Sequence, residues 1–153
     1  MDISFRKSDP EEIPDLLVLM QEYYEYDHLT FTERVARKAL EKLLGNEEKG
    51  CVWFVVCDGE DVGYVVLSYI CSLEFHGTAA FIDELYLRES HRGKGIGKRT
   101  VEFIEEYCRS QRIDALRLEV ERSNTRAWSL YEKLGFEKHD RHLMTRWIGA
   151  TRA

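Results

Sequence analysis

Residues 79–120 read as a strand, a glycine-rich turn, an amphipathic helix and a second strand, and this run restricts the fold more than any other. Ala79 to Leu87 is rich in apolar residues. Arg92 to Gly97 then leads into a helix whose Ile96, Val101, Ile104, Tyr107 and Cys108 share one face, and Ala115 to Val120 returns to strand character. Two strands joined through a helix lie parallel in one sheet, by a right-handed crossover. Upstream, Cys51 to Cys57 and Val62 to Tyr69 flank Asp58-Gly59-Glu60-Asp61, a turn signal for an antiparallel hairpin. The sheet is therefore mixed.

The other elements fit around it. A short strand at Ile3 to Arg6 precedes Asp9-Pro10-Glu11-Glu12, a helix start with proline in its first turn and acids where the dipole favours them. Ile13, Leu16, Leu17, Met20 and Tyr24 give that helix one buried face. Thr30-Phe31-Thr32-Glu33 fits a capping box for a second helix, carried on by Ala36, Ala39, Leu40 and Leu43 and ended by Gly45. Asn124 to Leu134 reads as a last helix closed by Gly135, followed by a strand pair at Phe136 to His139 and His142 to Ile148. The predicted order is β-α-α-β-β-β-α-β-α-β-β, an α/β (α+β) chain. With no flexible linker or repeat, a single domain over residues 1–153 is expected, long enough to bury one core.

Composition removes several function classes. Hydrophobic residues at 44% and charged residues at 33% suit a globular chain, and the longest apolar stretch, Cys51 to Val56, is far too short to span a bilayer. The N-terminus lacks the apolar core of a secretory signal, so the cytoplasm is the expected location. Cys51, Cys57, Cys71 and Cys108 show no metal or disulfide spacing and read as reduced fillers; no metal is expected. The net charge of −6 argues against nucleic acid as a partner. Its distribution is more informative: residues 1–50 hold twelve acids and seven bases, whereas Arg88 to Arg99 holds five bases and one acid. An anion site inside an acidic protein is implied.

Within that basic stretch lies Arg92-Gly93-Lys94-Gly95-Ile96-Gly97-Lys98, placed between the apolar strand and the amphipathic helix. Glycines at a helix entrance let the backbone approach a ligand closely, and the first unpaired N–H groups and the helix dipole favour a phosphate there. The spacing is not that of a Walker A loop, and a dinucleotide fingerprint would need glycine at Lys98. The loop does match Arg/Gln-x-x-Gly-x-Gly/Ala, with Arg92, Gly95 and Gly97 at the fixed positions. Downstream, Asn124-x-x-Ala127-x-x-Leu130-Tyr131-x-x-Leu134-Gly135-Phe136 follows in order. In both motifs the chain resembles the GNAT superfamily of acetyl-CoA-dependent N-acetyltransferases.

The resemblance implies a GNAT fold that holds the CoA pyrophosphate on Arg92, Gly93, Lys94, Gly95, Ile96, Gly97 and Lys98. The acetyl-bearing arm would lie beside Leu85, Tyr86 and Leu87, with Asn124 and Tyr131 flanking it. It further implies direct acetyl transfer in a ternary complex, with Tyr131 placed to protonate the departing sulfur. A simple alkylamine has a pKa near ~10.4, so about one molecule in a thousand is neutral at pH 7 and a proton acceptor is needed. Glu84 is the first candidate base. Strand alternation places it with Ile82 and Tyr86, and Asp83 on the opposite face. Tyr23-Tyr24-Glu25-Tyr26-Asp27-His28 offers acids and phenols to a cation, so Tyr23, Tyr26, Asp27 and Glu84 are candidate amine contacts. The expected acceptor is a primary amine, with small amines, polyamines or amino-sugars favoured. The alternatives are a non-catalytic acyl-CoA-binding regulator and a protein or peptide N-acetyltransferase. The chain is compatible with a homodimer.

Overall fold

The computed structural model describes residues 1–149, which fall into a compact unit ending at Glu119 and a second beginning at Val120. In the first unit, β1 (Ile3–Lys7), β2 (Gly50–Cys57), β3 (Glu60–Ser72), β4 (Gly77–Leu87) and β5 (Ala115–Leu118) form one sheet in chain order. The first three pairings are antiparallel and the β4–β5 pairing is parallel, with α3 (Ile96–Ser110) as the crossover. The mixed, mostly antiparallel sheet expected from the sequence is present.

Local chemistry accounts for the joints. Asp58 and Gly59, with φ of 50° and 85°, make the two-residue turn between β2 and β3 that a right-twisted hairpin favours. Asp9 caps a short 3-10 turn, Pro10–Glu12, by accepting from Glu11 N–H, while Glu12 reaches back to Asp9 N–H; α1 (Ile13–Tyr26) continues from it. The capping box expected at Thr30 does not form. Thr32 is the N-cap of α2 (Glu33–Leu44), without a side-chain bond to the helix, so α2 is held by the burial of Ala36 and Leu40.

The sheet is buried on both faces. Ile13, Leu16, Leu17, Leu19 and Met20 of α1, with Ala36 and Leu40 of α2, pack on Val52, Phe54, Tyr64, Val66 and Tyr86. Each Val, Leu, Ile, Phe or Met side chain among these contributes roughly 1.5–3 kcal/mol when fully buried. On the other face Ile96 of α3 joins Ile3, Val55, Cys57, Val62 and Leu87, and Phe103 stacks on Phe5 with ring centroids 4.3 Å apart. The unbroken apolar run of β2 reflects this double coverage.

In the second unit, Asn124 caps α4 (Thr125–Lys133) by accepting from Ala127 N–H at 3.1 Å. The two terminal strands expected at residues 136–139 and 142–148 are not formed: residues 136–148 carry no regular structure. Leu143, Met144, Trp147 and Ile148 are exposed, Ile148 at 92%. Their apolar character matches a strand, but a strand needs a ladder partner, and β-propensity alone supplies none.

Candidate active site

The glycine loop takes the shape an anion cradle requires. After β4 and a short 3-10 turn (Glu89–His91), Gly93 and Gly95 adopt φ of 73° and 79°, the left-handed region in which glycine is unstrained. A Cβ at Gly95 would meet nothing within 4 Å, so the demand there is for backbone conformation and the space in front of α3 is open. Arg99 N–H bonds to Gly95 O at 3.1 Å as the helix closes its first turn. The N–H groups of Ile96, Gly97 and Lys98 precede that bond and have no acceptor within the helix. Exposed Lys94, Lys98 and Arg99 surround them. A pyrophosphate fits this donor set.

Arg92 is tied into the fold through its guanidinium group. Its Nε donates to Leu87 O at 2.8 Å, and its guanidinium carbon lies 3.9 Å from the centroid of the Tyr26 ring and 5.6 Å from that of Tyr86. Arg92 thus ties the loop to the end of β4 and the last turn of α1.

Beside the loop the sheet opens. β5 pairs with β4 only from Ala79 to Ile82, so from Asp83 to Leu87 the ladder of β4 runs to β3 alone. Arg88 N–H donates to Val62 O at 2.9 Å, and Tyr86 lies opposite Tyr64. By alternation the N–H groups of Leu85 and Leu87 point to the open edge, available to a carbonyl or amide.

Glu84 sits at the head of that opening, on a face set by a bulge. Val66 pairs with Glu84 but Leu67 pairs with Ile82, which leaves Asp83 as the extra residue. The bulge overturns the simple alternation: Glu84 shares the α1 face with Tyr86, Tyr64 and Val66, whereas Ile82 turns with Leu67 to the α3 face. Tyr24 Oη donates to Glu84 Oε2 at 2.5 Å and Tyr64 Oη to Oε1 at 2.8 Å. Burial raises the Glu84 pKa, the two phenols oppose that rise, and neighbouring Asp83 adds to it. Asp83 is itself raised by desolvation. Both phenols are pushed upward by burial and by the Glu84 charge, so they remain donors.

The end of α1 supplies an aromatic wall. Tyr23 stacks on Tyr86 with centroids 5.5 Å apart and meets Tyr24 edge-on. Arg88 grips both oxygens of Glu22, at 3.0 and 2.9 Å, and Tyr86 Oη donates to Glu22 as well, which fixes α1 against the end of β4. Tyr26 is 55% exposed and lies under Arg92, and Asp27 is the exposed C-cap of α1. The structure thus brings Glu84, Tyr86, Tyr23, Tyr26 and Arg92 into one neighbourhood. Sequence reasoning missed Tyr64 and the partnership of Tyr24 with Glu84, because the register around the bulge brings them together and no local motif encodes it.

Two predicted residues belong to the second unit. Asn124 acts there as a helix cap, and Tyr131 packs edge-on against Phe136 at 5.6 Å, with its phenol pKa raised by burial. Among the described residues no cluster of three or more His, Cys, Asp or Glu side chains is placed to hold a metal ion, and no helix is long and apolar enough to cross a membrane. A separate cleft of about 280 Å³, bordered by Lys7, Cys51, Tyr69, Tyr107 and Arg112, contains none of the predicted site residues.

An open β4 edge beside a glycine-lined helix N-terminus, with a half-buried carboxylate at its head, is an arrangement suited to acyl transfer. The model of the acetyltransferase (GNAT) family matches residues 13–136, and the chain belongs to that family. It is similar to the thialysine N-epsilon-acetyltransferase of Bos taurus, 26% identical over 87% of this chain and 83% of the relative. It is also similar to the peptidyl-lysine N-acetyltransferase YjaB of Salmonella typhimurium, 29% identical over 90% and 85%. Among solved structures, an integron cassette protein from the mobile metagenome of Cole Harbour Salt Marsh superposes with a TM-score of 0.84 at 28% identity, over 96% of this chain and 91% of that one. The chain is thus an acetyl-CoA-dependent N-acetyltransferase.

Proposed function

We propose that the acceptor is the primary amine of a small cationic molecule, an alkylamine, polyamine or amino-sugar, and that the acetyl group passes to it directly in a ternary complex. The observation that carries this reading is the Glu84 carboxylate, held at the open end of β4 against a wall of tyrosines. Both relatives take their names from lysine-like substrates, whose side-chain amines are primary and cationic at neutral pH.

Acetyl-CoA, when bound, supplies a thioester carbonyl open to attack. The N–H groups of Ile96, Gly97 and Lys98 and the charges of Lys94 and Lys98 receive its pyrophosphate, and the Leu85 and Leu87 N–H groups on the open edge hold its arm and polarise the carbonyl. Tyr23, Tyr26 and Asp27 face the cation. Glu84 takes the ammonium proton, directly or through a water. Its raised pKa brings it nearer to the operating pH and makes it a better base than an ordinary glutamate. Tyr131 donates a proton to the leaving sulfur; with a thiol near ~8.5 and a phenol near ~10, the transfer runs uphill by about 2 kcal/mol, and burial of the phenol steepens it. Residues 1–153 act as one acetyltransferase domain in this reading, supported by a family match over residues 13–136 that reaches from the first compact unit into the second.

The test is the pH–rate profile of Glu84→Gln. Turnover is expected to fall most near neutral pH, by about 10²-fold or more, and to recover partly at alkaline pH where more of the amine is already neutral. A profile parallel to wild type would leave Glu84 without a role in proton transfer.

A further inference from the structure

Two phenols converge on one carboxylate from different elements, and only one of the two belongs to the sheet. Tyr64, fully buried on β3, is fixed beside Glu84 by the strand register Val66↔Glu84 and Tyr64↔Tyr86. Tyr24 comes from the last turns of α1, where its ring meets Tyr23 and Phe31 edge-on, with centroids 5.5 and 5.7 Å away. That turn also carries Tyr23, Tyr26 and Asp27, the proposed amine contacts. The Tyr24 hydroxyl is therefore a direct link from the amine wall to the proposed base.

We infer that Tyr24 is a positioning residue that holds the Glu84 carboxylate in place and in its ionised form. The inference rests on the proposed role of Glu84 and deepens it. The groups facing Glu84 are Tyr24 from α1, Tyr64 from β3 and Asp83 beside it on β4. Asp83 and burial both favour the protonated acid, and the two phenols are the counterweight. A hydrogen bond donated to a charged acceptor is about twice as strong as a neutral one, so the loss of either phenol tips the balance toward the acid. A protonated Glu84 cannot accept the proton of an ammonium. Tyr24 is the partner that α1 supplies, and Tyr64 the one fixed within the sheet.

The sign follows from which form is held. Tyr24→Phe keeps the ring and its packing and removes the one donor, so Glu84 titrates at higher pH and the acidic limb of kcat/KM moves up with it. Near that limb, kcat/KM should drop by about tenfold more than on the alkaline side, the worth of one charge-assisted hydrogen bond. Tyr64→Phe removes the other donor and should move both quantities in the same direction, which provides a second variant if the first folds poorly.

The experiment pairs kinetics with a readout that needs no substrate. The protein is labelled with carbon-13 at the glutamate side-chain carboxyl, the Glu84 resonance is assigned by its loss in Glu84→Gln, and its titration is compared in wild type, Tyr24→Phe and Tyr64→Phe. The expected result is a titration moved to higher pH in each phenylalanine variant, with the acidic limb following. A Glu84 titration unchanged in Tyr24→Phe would overturn the inference. A titration that moves while the rate limb stays would uphold the hold of Tyr24 on Glu84 and refute Glu84 as the base.

Discussion

Replacing Arg92 with alanine tests whether the loop is fastened to the fold or merely charged. In the structure the Arg92 guanidinium donates to Leu87 O at 2.8 Å and lies 3.9 Å over the Tyr26 ring. A hydrogen bond involving a charged group is worth about 1.5–3 kcal/mol, and a cation–π contact at a partly exposed site about 0.5–1 kcal/mol. Arg92 is only part-buried, so the lower ends apply and the loss comes to about 2 kcal/mol. For a chain of this size each kcal/mol moves the melting temperature by about 2–4 °C, so Arg92→Ala should melt about 4–8 °C below wild type. Arg92→Lys keeps the charge but neither the planar fork nor the stacking, and should recover less than half of the difference. Scanning calorimetry supplies the melting temperatures, and titration calorimetry with acetyl-CoA shows whether the loosened loop also binds its phosphates more weakly. A variant melting within about 1 °C of wild type would refute the clasp.

Two glycines beside the site separate backbone conformation from space. A Cβ at Gly63 would lie 2.1 Å from Tyr86 O, so Gly63→Ala should push β3 from β4 and cost about 1–3 kcal/mol or more in denaturant melts, whereas Gly95→Ala meets only open space. At Gly95 the left-handed backbone costs about 1–2 kcal/mol, and the larger effect should be weaker acetyl-CoA binding by titration calorimetry. Tyr131→Phe should keep the packing against Phe136 and lower the single-turnover rate by about 10²-fold, with acetyl-CoA affinity changed less; a wild-type chemical rate would remove the acid role.

Features carried by neighbouring residues were legible in the sequence, and features created by register were not. The Asp58-Gly59 turn, the Asp9 cap and the Gly93–Gly97 entrance to α3 depend on a few adjacent residues, and each formed where its letters stand. The bulge at Asp83 has no such signature. One extra residue in β4 reverses which neighbours share a face with Glu84, so alternation alone placed Glu84 with Ile82, and the structure places it with Tyr64 and Tyr24. Arg92 shows the same limit: its spacing from Gly95 and Gly97 is local, but its partners Leu87 and Tyr26 are tertiary. The strands expected at residues 136–148 rested on composition, and the exposure of Leu143 and Met144 shows that apolar residues without a ladder do not make a strand.

The central claim is acetyl transfer from acetyl-CoA to a primary amine, and release of the CoA thiol across a panel of amines tests it most directly. The panel spans alkylamines, polyamines, amino-sugars and lysine-containing peptides, with acetyl-CoA saturating and calorimetric binding measured on the same preparation. The account predicts thiol release that depends on a small cationic primary amine and falls in Glu84→Gln. Tight acetyl-CoA binding with no thiol release toward any amine would contradict it and identify the chain as an acyl-CoA-binding regulator, while turnover confined to peptides would overturn the small-amine acceptor.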